Sequence, residues 1–183
     1  MPYSRRWLLA STAALAASMM AADVPRPSPD FSINMLDGTK LPVRQFRGKV
    51  VLLMFFNTSC PHCQHATEVL NGVQKEYGPK GVQVLGSAMD VGGKGLLPDF
   101  LKRFQPVFPV GYNDHVEALT FMQTPLIAPG FVPKMAFLDR EGVIREQHAG
   151  EEPYFQTPEA SIRNTLDGLL KASAAPRQRA LPR

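Results

Sequence analysis

The sequence predicts an α/β domain, a central mixed β-sheet flanked by helices and preceded by an N-terminal β-hairpin, on the strength of three features. Residues 49–56 (Lys-Val-Val-Leu-Leu-Met-Phe-Phe) form a continuous apolar run between Gly48 and Asn57, the composition of a strand buried on both faces under covering helices. Residues 61–77 carry Cys63, Ala66, Leu70, Val73 and Tyr77 at spacings of three and four, one apolar helical stripe, and Gly78-Pro79 stops it. Residues 82–88 are a second apolar run, which closes a strand–helix–strand unit whose crossover is right-handed.

The other elements follow in order. Asp37-Gly38 is a turn between residues 31–36 and 39–43, the hairpin signal. Residues 97–104 read as helix, 107–112 as extended chain, and 114–121 as a short helix opened by an Asp114 cap. Residues 133–138 and 143–147 read as antiparallel strands joined at Gly142. Thr157 and Pro158 supply a cap and a first helical residue for a closing helix with Ile162, Leu166, Leu169 and Leu170 on one stripe. Met54, Met89, Met122 and Met135 fall in these apolar patterns and read as core. Gly92-Gly93-Lys94-Gly95 follows a strand but lacks the sequence of a phosphate loop, and no internal repeat is present.

The chain of 183 residues holds one such domain with short extensions. Its formal net charge of +4 sits at the ends. Arg5 and Arg6 precede the domain, Arg177, Arg179 and Arg183 follow it, and residues 23–171 hold fifteen basic against sixteen acidic residues. The nearly neutral folded part does not indicate a nucleic-acid partner. Residues 1–22 read as an export signal, a short basic start followed by sixteen uncharged residues, Trp7 to Ala22. That stretch is short for a bilayer span of about 20 strongly apolar residues. Ser4-Arg5-Arg6-Trp7-Leu8-Leu9 resembles the twin-arginine pattern; an ordinary secretory signal and an uncleaved membrane anchor are the alternatives, because a cut after Ala22 leaves Met20 in the third position back. The expected location is the periplasm or another exported, cell-envelope side. Residues 23–30, with Pro25, Pro27 and Pro29, read as an extended spacer, residues 31–171 as the domain, and residues 172–183 as a disordered, solvated basic tail.

Chemistry concentrates at Cys60-Pro61-His62-Cys63, which holds both cysteines of the chain. The two thiols are three residues apart on the first turn of a helix that follows a buried strand, so they face the same way. Cys60 falls at the helix cap, where unpaired N–H groups and the macrodipole favour negative charge, and the thiolate is the attacking species in disulfide exchange. Pro61 suits the first helical position, and His62 adds a nearby positive charge. Cys63, on the apolar stripe, is expected to be shielded and to act as the resolving thiol.

Other readings of the pair compete with exchange. A structural disulfide across four residues contributes only about 2 kcal/mol in the chain-entropy estimate. Zinc asks for about four ligands, and no second cysteine pair exists. Haem attachment needs a histidine where Gln64 stands. A soft copper site from Cys60, Cys63 and His65 or His148 stays open, which would make the chain a copper-binding metallochaperone. A non-catalytic interaction domain with a structural Cys60–Cys63 disulfide stays open as well. His65, just off the apolar stripe, reads as a solvated surface residue.

Residues 31–170 resemble the thioredoxin fold in its exported TlpA/ResA-like branch, which is related to the AhpC/TSA redoxins. The resemblance rests on the Asp37-Gly38 hairpin, on Phe46-Arg47-Gly48-Lys49-Val50-Val51, on residues 55–63 around the cysteines, and on residues 131–142 (Phe-Val-Pro-Lys-Met-Ala-Phe-Leu-Asp-Arg-Glu-Gly). It implies that Pro133 is cis and lies against a redox-active Cys60–Cys63 disulfide, and that Val132 offers backbone hydrogen bonds to a bound partner chain. Pro125 and Pro129, with no strand after them, fit that role less well. The peroxidase pattern of Pro and Thr before the cysteine is missing, since Thr58 stands two residues ahead; Thr58 and Ser59 are read as shaping the entry loop.

Departures from the family bear on direction. The buried acid of thioredoxin is replaced by Met54, and the Glu and Pro of the reducing relatives are replaced by Ala66 and Glu68. A nearby acid helps to move the proton of the buried thiol, so its loss weighs against a dedicated reductant. The Pro-His pair is that of the periplasmic disulfide oxidase family, and a stabilised thiolate makes a disulfide a stronger oxidant. The reading is an exported thiol–disulfide oxidoreductase, monomeric and without a bound cofactor or metal, that exchanges disulfides with protein partners and an upstream redox partner through Cys60 and Cys63. The direction of electron flow stays open, and membrane contact is expected only if the leader is retained.

Overall fold

The computed structural model of the protein describes residues 23–127 and 130–174. Residues 1–22, which the sequence reading assigns to an export signal, Pro129, and residues 175–183 of the expected tail lie outside the described residues. The sheet is built from β1 (Arg26–Pro27), β2 (Ser32–Asn34), β3 (Lys40–Pro42), β4 (Val50–Phe56), β5 (Val82–Ala88), β6 (Val110–Tyr112), β7 (Lys134–Leu138) and β8 (Val143–Ala149). Its strand order is β1-β8-β7-β4-β5-β6-β2-β3. The helices are α1 (Pro61–Tyr77), α2 (Gly93–Phe104), α3 (His115–Phe121) and α4 (Pro158–Ala174).

β4 is the central strand, and all seven of its residues are buried. It pairs parallel with β5, Val50 opposite Val82 through Phe56 opposite Ala88, and antiparallel with β7, Val51 opposite Leu138 through Phe55 opposite Lys134. Alternation along the strand divides its side chains between two cores. Leu52, Met54 and Phe56 join Leu70 and Val73 of α1, Leu97 and Phe100 of α2, and Ile162 and Leu166 of α4. Val51, Leu53 and Phe55 join Leu119 and Phe121 of α3 with Ile33 and Val43 from around the hairpin. Each large apolar side chain fully buried here contributes about 1.5–3 kcal/mol. The four methionines read as core, Met54, Met89, Met122 and Met135, are all buried.

The hairpin forms with Ser32 opposite Pro42 and Asn34 opposite Lys40, and Asp37 takes the Thr39 N–H at 2.9 Å while Gly38 turns at φ +86°. It joins the sheet through Asn34 opposite Tyr112. Asp114 caps α3 with Oδ1 on the Val116 N–H at 2.7 Å, and Glu117 reaches back to the Asp114 N–H at 3.1 Å. The fold is the mixed α/β arrangement with thioredoxin-like topology that the sequence implied.

Three boundaries differ from the sequence reading. Residues 23–30 are extended but are not a free spacer, because β1 pairs with β8 as an edge strand, Arg26 opposite Ile144. An edge strand tolerates the missing N–H of Pro27, and the buried Arg26 guanidinium donates to the Phe121 carbonyl at 2.6 Å and to Gln147 at 2.9 Å. Helix α2 begins at Gly93 rather than Leu97, with Gly92 at φ +76° turning the chain into it. Pro98 is the sixth of its twelve residues, where proline removes one i→i−4 hydrogen bond and crowds the carbonyl of Lys94, and burial of Leu97 and Phe100 offsets that cost. Helix α4 continues past residue 171 to Ala174, since Ala172, Ser173 and Ala174 extend the turn that Leu169 anchors.

Gly111 marks the closest approach in the sheet. A Cβ there would lie 2.3 Å from the Asn34 carbonyl oxygen and 2.6 Å from Ile33 Cγ2. Gly111→Ala is therefore expected to push the hairpin off β6 and to destabilise the protein by about 1–3 kcal/mol in thermal or denaturant unfolding. Gly72→Ala, on an α1 face where nothing lies within 4 Å of the added methyl group, is expected to leave stability unchanged or raised.

Candidate active site around Cys60 and Cys63

The parallel strands β4 and β5 end side by side, and the chain from the end of β4 crosses to α1 through residues 57–60. Cys60 is the N-cap of α1, with extended backbone (φ −78°, ψ 119°), and Pro61 opens the helix. The Cys60 N–H donates to the Asn57 carbonyl at 3.2 Å, and the Cys60 carbonyl takes the Gln64 N–H at 3.0 Å, the first helical bond. Cys60 makes no side-chain cap. Its thiol is partly exposed and points to the Val132 carbonyl, with Sγ 3.8 Å from the oxygen. His62 is exposed on the first turn.

Cys63 is 0% exposed, on the α1 stripe with Ala66, Leu70 and Val73. Burial pushes its thiol well above the ordinary cysteine range. The Asn57 backbone amide pulls the other way, while a hydrogen bond to Cys60 and the negative charge of Asp90 add to the rise. One cysteine is reachable at a helix N-terminus and the other is shielded beside it.

The far wall of the site comes from the start of β7. The Val132–Pro133 peptide bond is cis, as the resemblance implies, and Pro133 is buried. Val132, half-buried, reaches both cores and is the residue that Cys60 faces. Cys60, Cys63, Val132 and Pro133, distant in sequence, are thus brought together. Gly150, at the end of β8, backs this wall: a Cβ on it would lie 2.6 Å from the Val132 carbonyl oxygen and 2.8 Å from its carbon. Lys134 follows Pro133 and is 2% exposed; burial pushes its ammonium below the ordinary lysine range, and the charge of Glu152 opposes that shift.

The positions where family members carry acids are apolar and buried here, Met54 at 0% and Ala66 at 2% exposure, while Glu68 is exposed and faces His65 at 3.8 Å. His148 is held between Glu152 at 2.8 Å and Glu146 at 3.4 Å and stacks on the Tyr154 ring. Among the described residues, no group of three or more His, Cys, Asp or Glu is placed to hold a metal ion.

Asp90 is the site residue that the sequence reading missed. It follows β5, and its carboxylate accepts the Thr58 N–H at 2.9 and 3.0 Å and the Thr58 hydroxyl at 3.1 Å. The Thr58 carbonyl in turn accepts from Gln64 Nε2 at 2.9 Å. The available signal was positional, since residues just past the carboxyl ends of adjacent parallel strands share one crevice.

The AhpC/TSA family model matches residues 24–147. The thiol-disulfide oxidoreductase ResA of Bacillus thuringiensis subsp. konkukian is 27% identical over 139 residues, 75% of this chain and 76% of the relative. The thioredoxin-like protein YneN of Bacillus subtilis is 27% identical over 129 residues, 67% of this chain and 69% of that protein. Among solved structures, a putative thiol:disulfide interchange protein DsbE from Chlorobium tepidum superposes with a TM-score of 0.66 at 25% identity, covering 79% of this chain and 98% of that one. With two cysteines opening the helix after the central strand, a cis-proline strand facing them, and that match across the domain, the chain belongs to the AhpC/TSA family as a thioredoxin-fold oxidoreductase of the TlpA/ResA-like kind.

Proposed function

We propose that the protein is an exported thiol–disulfide oxidoreductase that exchanges disulfides with protein partners through Cys60 and Cys63. The observation that carries the reading is the contrast between the two sulfurs, Cys60 reachable at the α1 N-cap and Cys63 fully buried one turn in. Cys60 attacks a partner disulfide, or its own disulfide is attacked by a partner thiolate, and a mixed disulfide forms. Cys63 resolves that intermediate in one direction and is released in the other. The exchange needs no bound cofactor, because the electrons move between sulfur pairs.

Pro61 preorganises the helix end at which Cys60 stands. Val132 and Pro133 hold the partner chain, the Val132 backbone pairing with an extended segment beside the scissile sulfur. His62, exposed next to Cys60, is the residue between the cysteines that tunes the pair toward its reduced form. Export rests on residues 1–22, whose basic start and uncharged run suit a signal segment; among the described residues, no helix is long and apolar enough to cross a membrane.

Cys63→Ser is expected to accumulate mixed disulfides with protein partners through Cys60, resolved on non-reducing gels, and Cys60→Ser is expected to accumulate none. Equal trapping by both variants overturns the assigned roles. His62→Ala is expected to make the pair more reducing, seen as a lower fraction of dithiol in defined glutathione buffers; no change, or a shift toward dithiol, removes His62 as a tuning group. Gly150→Ala is expected to displace Val132 and to lower exchange with a protein partner about tenfold or more, while alkylation of Cys60 by a small reagent keeps its rate.

A further inference from the structure

The two ladders that hold β7 both stop one residue short of the cis-proline. We propose that Glu152 is a positioning residue for disulfide exchange, which clamps the turn after β8 and so sets the Val132 backbone that a partner chain meets. The inference rests on the exchange function proposed above and names what holds the partner-facing wall of that site.

β7 pairs with β8 from Leu138 opposite Ile144 to Lys134 opposite Ala149, and with β4 only as far as Lys134 opposite Phe55. Pro133 has no N–H with which to continue either ladder. The Val132–Pro133 peptide therefore stands beyond the sheet pairing and is held by packing. The Val132 side chain rests on both cores, and its backbone is backed by Gly150. A Cβ on Gly150 would lie 2.6 Å from the Val132 carbonyl oxygen, 2.8 Å from the carbonyl carbon and 3.1 Å from the nitrogen. That same carbonyl oxygen lies 3.8 Å from Cys60 Sγ. A shift of Gly150 toward the wall must move the Val132 backbone, and a shift away removes its support.

Gly150 has no side chain to anchor it, so its place is set by the turn that carries it. The Glu152 N–H donates to the Ala149 carbonyl at 2.9 Å and closes that turn. The Glu152 side chain closes it again from outside, with Oε1 accepting the Ala149 N–H at 2.9 Å and Oε2 2.8 Å from His148 Nδ1. His148 is braced in turn. Its ring stacks on Tyr154 with centroids 3.7 Å apart, and its Nε2 lies 3.4 Å from Glu146. Tyr154 and Glu146 meet at the Thr165 hydroxyl of α4, at 3.3 and 3.0 Å. One carboxylate thus ties the Gly150 turn to α4 and to the end of β8. A group that docks a substrate and is misplaced by about 1 Å can cost about a hundredfold in rate.

The test uses the full chain carrying Cys63→Ser, in which the mixed disulfide through Cys60 accumulates and its rate of formation is read directly. In that step the Cys60 sulfur bonds to one substrate sulfur as the S–S bond breaks, and the other sulfur leaves with the proton of Cys60. The rate is measured with insulin and with bis(hydroxyethyl) disulfide, which has no peptide backbone to meet Val132. Glu152→Ala is expected to lower the insulin rate about tenfold or more and to leave the small-disulfide rate unchanged. Glu152→Gln keeps an oxygen for the Ala149 N–H and a polar group for His148, and removes the charge that acts on Lys134. It is expected to retain the insulin rate. Glu152→Ser gives the same contrast as Glu152→Ala if the Ala variant folds poorly. An unchanged insulin rate in Glu152→Ala, an equal loss with both disulfides, or a Gln variant as slow as the Ala variant overturns the role of Glu152. A Cys63→Ser parent that forms no mixed disulfide with insulin, while iodoacetamide still modifies Cys60, instead overturns the proposed function.

Discussion

Residues 50–56 are buried on both faces at once, and the remainder of the molecule is arranged to satisfy that constraint. A strand of this kind needs a hydrogen-bonded neighbour on each edge and a covered core on each face, so β5 and β7 flank it, α1, α2 and α4 cover one side, and α3 with the hairpin region covers the other. Because β4 pairs parallel with β5, the chain must cross over through α1, and the start of that helix is forced to the end of the sheet where both strands stop. The redox pair sits there because the crossover begins there.

The site is a balance of opposing electrostatic demands on two sulfurs three residues apart. Cys60 stands partly exposed at the helix N-terminus with its Sγ 3.8 Å from the Val132 carbonyl oxygen, whereas the core around Met54, Ala66 and Leu70 strips solvent from Cys63 and pushes its thiol above the ordinary cysteine range. One sulfur is partly exposed and the other is fully buried one turn in. The wall formed by Val132 and Pro133 presents a backbone carbonyl to the first sulfur, and Gly150 allows β8 to close directly behind that wall.

The periodicities of the sequence carried most of the architecture. The continuous runs 50–56 and 82–88, the stripe from Cys63 to Tyr77, the Asp37-Gly38 turn and the Asp114 cap are local signals, each decided by a few neighbouring residues, and each has its element in the structure. The start of α2 and the pairing of β1 were not legible in this way. Gly93-Lys94-Gly95 has poor intrinsic helix preference and becomes helical because Leu97 and Phe100 anchor the segment to the core. A proline-rich stretch gives no local sign of joining a sheet, and β1 does so because Arg26 finds the Phe121 carbonyl 95 positions away and Gln147 121 positions away.

By itself the sequence determined that two thiols open a helix behind a buried strand, because three-residue spacing and helix periodicity are properties of neighbouring residues. It also marked Pro133 as the odd residue at the head of a strand. Only the tertiary structure decided which groups surround those thiols. Val132 reaches Cys60 across 72 positions, and Asp90 reaches Thr58 across 32, through strand register and the common end of two parallel strands. Contacts of that range are fixed by how the sheet packs, a property of the whole chain that no local pattern of residues encodes.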